Sequence, residues 1–194
     1  MKMSGEYRIP ASRQTVWEAL NDPDILRACI PGCETLEKTS ETELTAKVTI
    51  KIGPVKAKFG GKVTLSDLDP PNGYSISGEG QGGPAGFAKG GAKVTLEEDG
   101  DGTILRYTAE AQVGGKLAQI GQRLIDGSAN KLAGQFFAKF AETVGASATE
   151  SAPAKDQPAP ATATREKPKG LPAPVWITGL VALVIVILAV IVAT

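Results

Sequence analysis

Residues 46–65 read AKVTIKIGPVKAKFGGKVTL, two alternating runs that meet at Gly53-Pro54. Successive side chains of an extended strand point to opposite faces, so Ala46, Val48, Ile50 and Ile52 fall on one side and Lys47, Thr49 and Lys51 on the other. The second run repeats the pattern, with Val55, Ala57, Phe59, Val63 and Leu65 set against Lys56, Lys58 and Lys62. The reading is an antiparallel pair with one apolar and one basic face. A row of lysines is ordinarily a solvated sheet surface. The functional alternative is docking on an acidic partner or an anionic lipid surface, where each lysine adds about 1 kcal/mol.

Working outward, strand character extends from Glu34 to Val113, with turn signals at Gly53-Pro54, Pro70 to Gly73 and Asp99 to Gly102, enough for about six strands. Before them, Ser4 to Ile9 alternates as a first strand and Pro10 ends it. Ser12 is placed to cap a short helix with Val16, Trp17 and Leu20 on one side. Asp22-Pro23 opens a second helix carrying Ile25 and Leu26, and Pro31-Gly32 stops it. Between Gly78 and Ala92 the sequence GEGQGGPAGFAKGGA has little bulk, which predicts a loose strand pair with a mobile connection near Gly82-Gly83-Pro84, a candidate gate over the interior. After the sheet, Leu117, Ile120, Gly121, Leu124, Ser128, Leu132, Phe136 and Phe140 recur at three- and four-residue spacing, predicting one long amphipathic helix over Gly115–Val144. Gly121 and Ser128 thin its bulky stripe opposite the glycine-rich strands. The expectation is a cavity rather than a solid core.

Beyond the helix, residues 145–174 are rich in Ala, Pro, Thr, Ser and charge and read as a disordered linker. As a flexible coil its thirty residues span roughly 30 Å r.m.s.. Val175 to Ala193 then holds nineteen consecutive uncharged residues. As a helix rising about 1.5 Å per residue this stretch matches the roughly 30 Å hydrocarbon core of a bilayer, so it is expected to be a transmembrane anchor. Arg165, Lys167 and Lys169 precede it with no basic residue after, which places the N-terminal domain in the cytoplasm by the positive-inside bias, and Trp176 suits an interfacial anchor.

Composition narrows the chemistry. Lysine plus arginine balance aspartate plus glutamate at 21 each, so no overall charge bias points to nucleic acid, and histidine is absent. That removes the usual general base, the Ser-His and Cys-His nucleophile pairs and the commonest metal ligand. Cys29 and Cys33 are four apart, but Pro31 and Gly32 break a shared helical face and no histidine completes a site, so no metal is expected. On the reducing side of the membrane a structural disulfide is not expected either. The glycine run lacks a following Gly-Lys-Ser/Thr, which argues against a phosphate-cradling loop. No carboxylate pair reads as catalytic, and no enzymatic activity is expected.

The element order is that of an α+β helix-grip domain, START-like or SRPBCC: a curved antiparallel sheet wrapped on a long C-terminal helix. Within that superfamily, Arg27-Ala-Cys-Ile-Pro-Gly-Cys-Glu34 after Asp22-Pro23, the strand Gly53-Pro-Val-Lys-Ala57, and Ile120-Gly-Gln-Arg-Leu-Ile-Asp-Gly127 followed by Phe136-Phe137 resemble the CoxG family of carbon monoxide dehydrogenase subunits. The resemblance covers residues 1–145, and the tail is similar to that of membrane-anchored members. It implies that the domain over 1–144 is a helix-grip ligand-binding domain, which the linker over 145–174 and the anchor over 175–193 follow. It also implies association with a carbon monoxide dehydrogenase-type molybdenum hydroxylase and recruitment of that enzyme to the cytoplasmic membrane.

Adding the cavity to that placement gives the functional expectation: the domain binds a respiratory quinone, menaquinone or ubiquinone, as carried ligand and couples the enzyme to the electron transport chain. Apolar faces and superfamily placement together nominate Trp17, Ile25, Leu26, Ile30, Phe59, Phe87, Tyr107, Ile120 and Leu124 as lining, with Phe87 touching whatever enters. Two rival readings are a pure membrane scaffold for the dehydrogenase and an assembly factor for its cofactor. A polyketide cyclase-like enzyme has only Tyr7, Tyr74, Tyr107 and scattered carboxylates to draw on.

Overall fold

The structure is a computed structural model that describes residues 1–52 and 55–150. The turn Gly53-Pro54, the linker beyond Glu150 and the apolar stretch 175–193 lie outside the described residues. Among the described residues no helix is long and apolar enough to cross a membrane.

Strand β1 (Lys2–Ile9) ends at Pro10 and leads into α1 (Arg13–Leu20) and α2 (Pro23–Cys29). Both helices start as their caps require: the Ser12 hydroxyl accepts from the Thr15 backbone N–H, and the Asp22 carboxylate accepts from Asp24 and Ile25, with Pro23 at the first helical position. Six strands follow, β2 (Cys33–Lys38), β3 (Glu43–Ile52), β4 (Val55–Asp69), β5 (Gly73–Gln81), β6 (Phe87–Asp99) and β7 (Gly102–Gly114). They form one curved antiparallel sheet of seven strands in the order β1-β7-β6-β5-β4-β3-β2. A helix α3 (Gln122–Glu150) completes the chain as described.

The two-faced alternation of β3 and β4 is realised. Ala46, Val48, Ile50, Phe59, Val63 and Leu65 are buried on the inner face, while Lys47, Lys51, Lys56, Lys58 and Lys62 are exposed on the outer one. The inner faces meet α1, α2 and α3 in one core that includes Phe136, Phe137 and Phe140, none more than 1% exposed. Each such side chain contributes roughly 1.5–3 kcal/mol through burial.

Three details differ from what the sequence predicts. Gly78 to Ala92 is no loose pair: β5 and β6 pair residue by residue from Gly73↔Thr95 to Gln81↔Phe87, and a single 3-10 turn at Gly83–Ala85 joins them. The long helix starts later, because Gly121 adopts φ +100 between a 3-10 turn at Leu117–Ile120 and α3. That left-handed residue resets the helical phase. The buried stripe of α3 is Ile125, Ala129, Ala133, Phe136, Phe137, Phe140 and Val144, so Leu124 and Ser128 stand beside it rather than in it. Finally α3 continues through Gly145 to Glu150, past the expected boundary at 144. Gly145 lies against Pro10, where an added Cβ would come within 2.8 Å of the proline ring, and the alanines after it in sequence favour helix.

Candidate functional site

Antiparallel order sorts the loops into two ends. The β3–β4, β5–β6 and β7–α3 connections share one end with the start of β1, and the β4–β5 and β6–β7 connections share the other. The interior runs between them under α3.

Its floor is made of small side chains. Gly78 pairs with Gly90 and Gly90 with Ala111, and one rung further Ala92 pairs with Ala109, all on the inner face of β5, β6 and β7. Opposite, the first turns of α3 present Ile125, Ala129 and Ala133. Among the strands the helix comes closest to β1, beside β7, and to β3, which lies beyond β4 on the other side of this small-residue floor.

The nine nominated residues divide along this interior. Trp17 is 3% exposed and sits toward the second end, edge-on to Tyr74 with ring centroids 5.3 Å apart. Leu26 and Ile30 are buried along and just after α2, and Ile25 is half-buried. Tyr107 lies midway, stacked with Tyr7 and Phe137 at centroid distances of 6.3 and 5.5 Å, and burial first, then Tyr7, pushes its hydroxyl up to about 12. Phe59 is buried under the β5–β6 connection, its ring against the backbone of Gly82. Ile120 is half-buried, and Phe87 and Leu124, 43% and 53% exposed, stand at the rim of the first end. Phe87 lies over Gly114, its partner across β6 and β7. The set is therefore not one patch: five residues are buried in the interior and two are half-buried, Leu124 is exposed at the start of α3, and Phe87, which alternates with buried Ala88, lies on the outer face of β6 rather than in the interior as expected.

Tyr74 is a tenth residue of this interior that the apolar faces did not nominate. Its side chain is fully enclosed, its hydroxyl has no hydrogen-bond partner among the described residues, and burial raises its pKa well above the ordinary phenol value. Leaving a buried donor unsatisfied costs about 1–3 kcal/mol. The sequence carries one signal of it: Tyr74 and Ile76 alternate with Ser75 and Ser77, which sets Tyr74 on the inner face. A second orphan, the Asn21 carbonyl oxygen, belongs to the residue whose amide donates to the Trp17 carbonyl at 2.6 Å.

Elsewhere the chemistry is ordinary. Cys29 and Cys33 are free thiols, and Cys29 contacts the Thr143 hydroxyl at 3.8 Å. Among the described residues no group of His, Cys, Asp and Glu is arranged to hold a metal. On the outer face a depression of 770 Å³ is lined by Lys2, Lys62, Lys89, Glu79 and Glu110, too charged for an apolar ligand. Burial pushes the Cys33 thiol up to about 11. Its alkylation by iodoacetamide at pH 8 is therefore expected to run at least about tenfold slower than that of a free cysteine, and to keep rising through pH 10, because the thiolate is the nucleophile. A rate that levels off near pH 9, followed by mass spectrometry of the native protein, contradicts this.

Residues 5–145 match the CoxG family model, whose description is that of a carbon monoxide dehydrogenase subunit. Among curated protein sequences none matches this chain. The chain is similar to a crystallised conserved protein from Geobacillus kaustophilus, with 36% identity over 76% of this chain and 97% of that one, at a TM-score of 0.72. At the level of fold alone it is similar to an aromatase/cyclase from a Streptomyces species, 13% identical, covering 74% of this chain and 93% of the other at a TM-score of 0.55. It is similar in the same way to Ara h 8.0201, 15% identical, covering 74% of this chain and 97% of the other at 0.52.

Proposed function

The chain belongs to the CoxG family of carbon monoxide dehydrogenase subunits, and from that premise we propose that it is an accessory protein that holds a quinone for a carbon monoxide dehydrogenase-type molybdenum hydroxylase at the cytoplasmic membrane. Residues 175–193 anchor it, residues 151–174 tether it, and the helix-grip domain faces the cytoplasm. The enzyme supplies the oxidation. The carried quinone, menaquinone or ubiquinone, accepts two electrons and two protons and leaves as quinol, and the domain itself does no redox chemistry.

The observation that carries this reading is Tyr74, a phenol donor enclosed in an apolar interior without a partner among the described residues. A quinone carbonyl is a hydrogen-bond acceptor on a flat apolar ring, which suits Tyr74 beside the indole of Trp17. The small residues Gly78, Gly90, Ala92, Ala109 and Ala111 on the inner face of β5 to β7 support this reading, since an isoprenoid tail needs a stretch of interior with little side-chain bulk. Transfer of that tail from lipid to an apolar interior is close to neutral, since both environments remove the same surface from water at about 25 cal/mol per Å². Near-balance is what a shuttle requires.

The test is to purify the full chain from native membranes in mild detergent and identify bound lipid by mass spectrometry. Quinone is expected in the wild-type protein. Tyr74→Phe is expected to retain about three- to tenfold less, while the unfolding midpoint stays level or rises because an unsatisfied hydroxyl has been removed. Consistent absence of quinone with enzyme binding intact leaves a membrane scaffold. Dehydrogenase lacking complete metal centres in cells without this chain points instead to an assembly factor.

A further inference from the structure

We infer that the end of the domain where β3 finishes and β4 begins, and where the β5–β6 and β7–α3 connections lie, docks directly onto an anionic bilayer surface, with Phe87 and Leu124 entering the headgroup layer and the cations of the same end meeting the lipid phosphates. This rests on the membrane placement proposed above and adds which face meets the lipid.

The two large hydrophobic side chains exposed among the described residues, Phe87 and Leu124, are both at this end. The same end carries Lys51, Lys56, Lys116 and Arg123, all exposed and none in an ion pair among the described residues. Lys51 and Lys56 lie directly opposite each other across β3 and β4. Like charges at that position destabilise a strand pair, so the pairing favours an external anion. The acids nearest this end are each already engaged: Glu34 pairs with Lys58 and accepts from Thr49, Glu79 is cross-strand from Lys89, and Asp126 accepts from Gln122.

The far end has the opposite sign. Asp69, Glu97, Glu98, Asp99 and Asp101 cluster about the β4–β5 and β6–β7 connections, balanced only in part by Arg8, Arg13 and Arg106. An anionic surface therefore attracts one end and repels the other, which orients the domain before any apolar contact forms.

A lipid surface fits better than a protein one. Protein interfaces are centred on packed aromatic and apolar anchors that are fully desolvated on binding. Two separated hydrophobic side chains at an end rich in unpaired cations instead match the pattern of a peripheral membrane contact. Chain length permits it. Helix α3 runs about 43 Å away from the cationic end. The 24 residues from 151 to 174 reach up to about 80 Å when extended, so the anchor can return to the bilayer that the cationic end touches. Docked this way, the acidic end faces the cytoplasm.

The test is lysine acetylation footprinting of the full chain in nanodiscs of phosphatidylcholine alone or with about one-third phosphatidylglycerol. Lys51, Lys56 and Lys116 are expected to be labelled about fivefold more slowly in the anionic discs, with Lys93 and Lys131 unchanged and the protection lost at high salt. The K51E/K56E variant, altered only at exposed positions, is expected to lose protection at Lys116. Equal labelling in both discs overturns the proposal. Protection that appears only after purified dehydrogenase is added overturns it too, and makes this end a protein interface. Retention in the discs reports separately on the anchor. If the chain does not insert, the same footprint on vesicles of the same two compositions still decides which face meets lipid.

Discussion

Phe137→Ala is expected to lower the free energy of unfolding by about 3–5 kcal/mol. The ring is 1% exposed and sits between three others: Tyr7 at 4.0 Å, Phe136 at 5.0 Å and Tyr107 at 5.5 Å between centroids. Tyr7 and Tyr107 lie on β1 and β7, so this stack fastens α3 to the edge of the sheet. Truncation removes the transfer energy of the ring and leaves a void that the strand backbones cannot collapse to fill. Urea unfolding of the detergent-solubilised full chain measures it. A loss under about 1 kcal/mol would show that the stack does not hold the helix.

Gly32→Ala comes second, at about 2–4 kcal/mol, for backbone rather than packing reasons. Gly32 has φ +75, where a side chain is strained, and a Cβ built there lies 2.1 Å from the Thr49 carbonyl oxygen. The same segment is held by the Thr49 N–H donating to the Gly32 carbonyl at 2.9 Å, so the β3 backbone cannot retreat without losing that bond. Gly100→Ala is the control. It has φ +62 with nothing within 4 Å, so only the left-handed strain of about 1 kcal/mol remains. Equal losses at the two positions would refute the clash with Thr49.

The fold is open to reading from local pattern because its elements obey their periods. The lysine alternation of β3 and β4 sets both faces of the sheet, and Ser12, Asp22 and Pro23 mark two helix starts through hydrogen bonds that involve only neighbours in sequence. The site is less legible. Trp17, Leu26, Ile30, Phe59 and Tyr107 are buried as their apolar faces imply. Leu124 goes astray because a three-to-four spacing counted through Gly121 assumes one continuous helix, and the left-handed glycine breaks that count. Tyr74 escapes nomination because an inward-facing tyrosine is ordinary in a sequence. Only the packing around its hydroxyl leaves the donor without a partner among the described residues.

By itself the sequence determined which residues alternate, which turn and which cap, and hence the order of two short helices, six further strands and one long helix, because those properties depend on contacts a few residues apart. It also determined the family resemblance that names the partner enzyme. The tertiary structure alone decided how residues far apart share space. It set Tyr74 beside Trp17, sorted unpaired cations to one end and acids to the other, and left Phe87 and Leu124 exposed at the same end. Those relations depend on strand order and register, which bring together side chains that one-dimensional periodicity cannot relate.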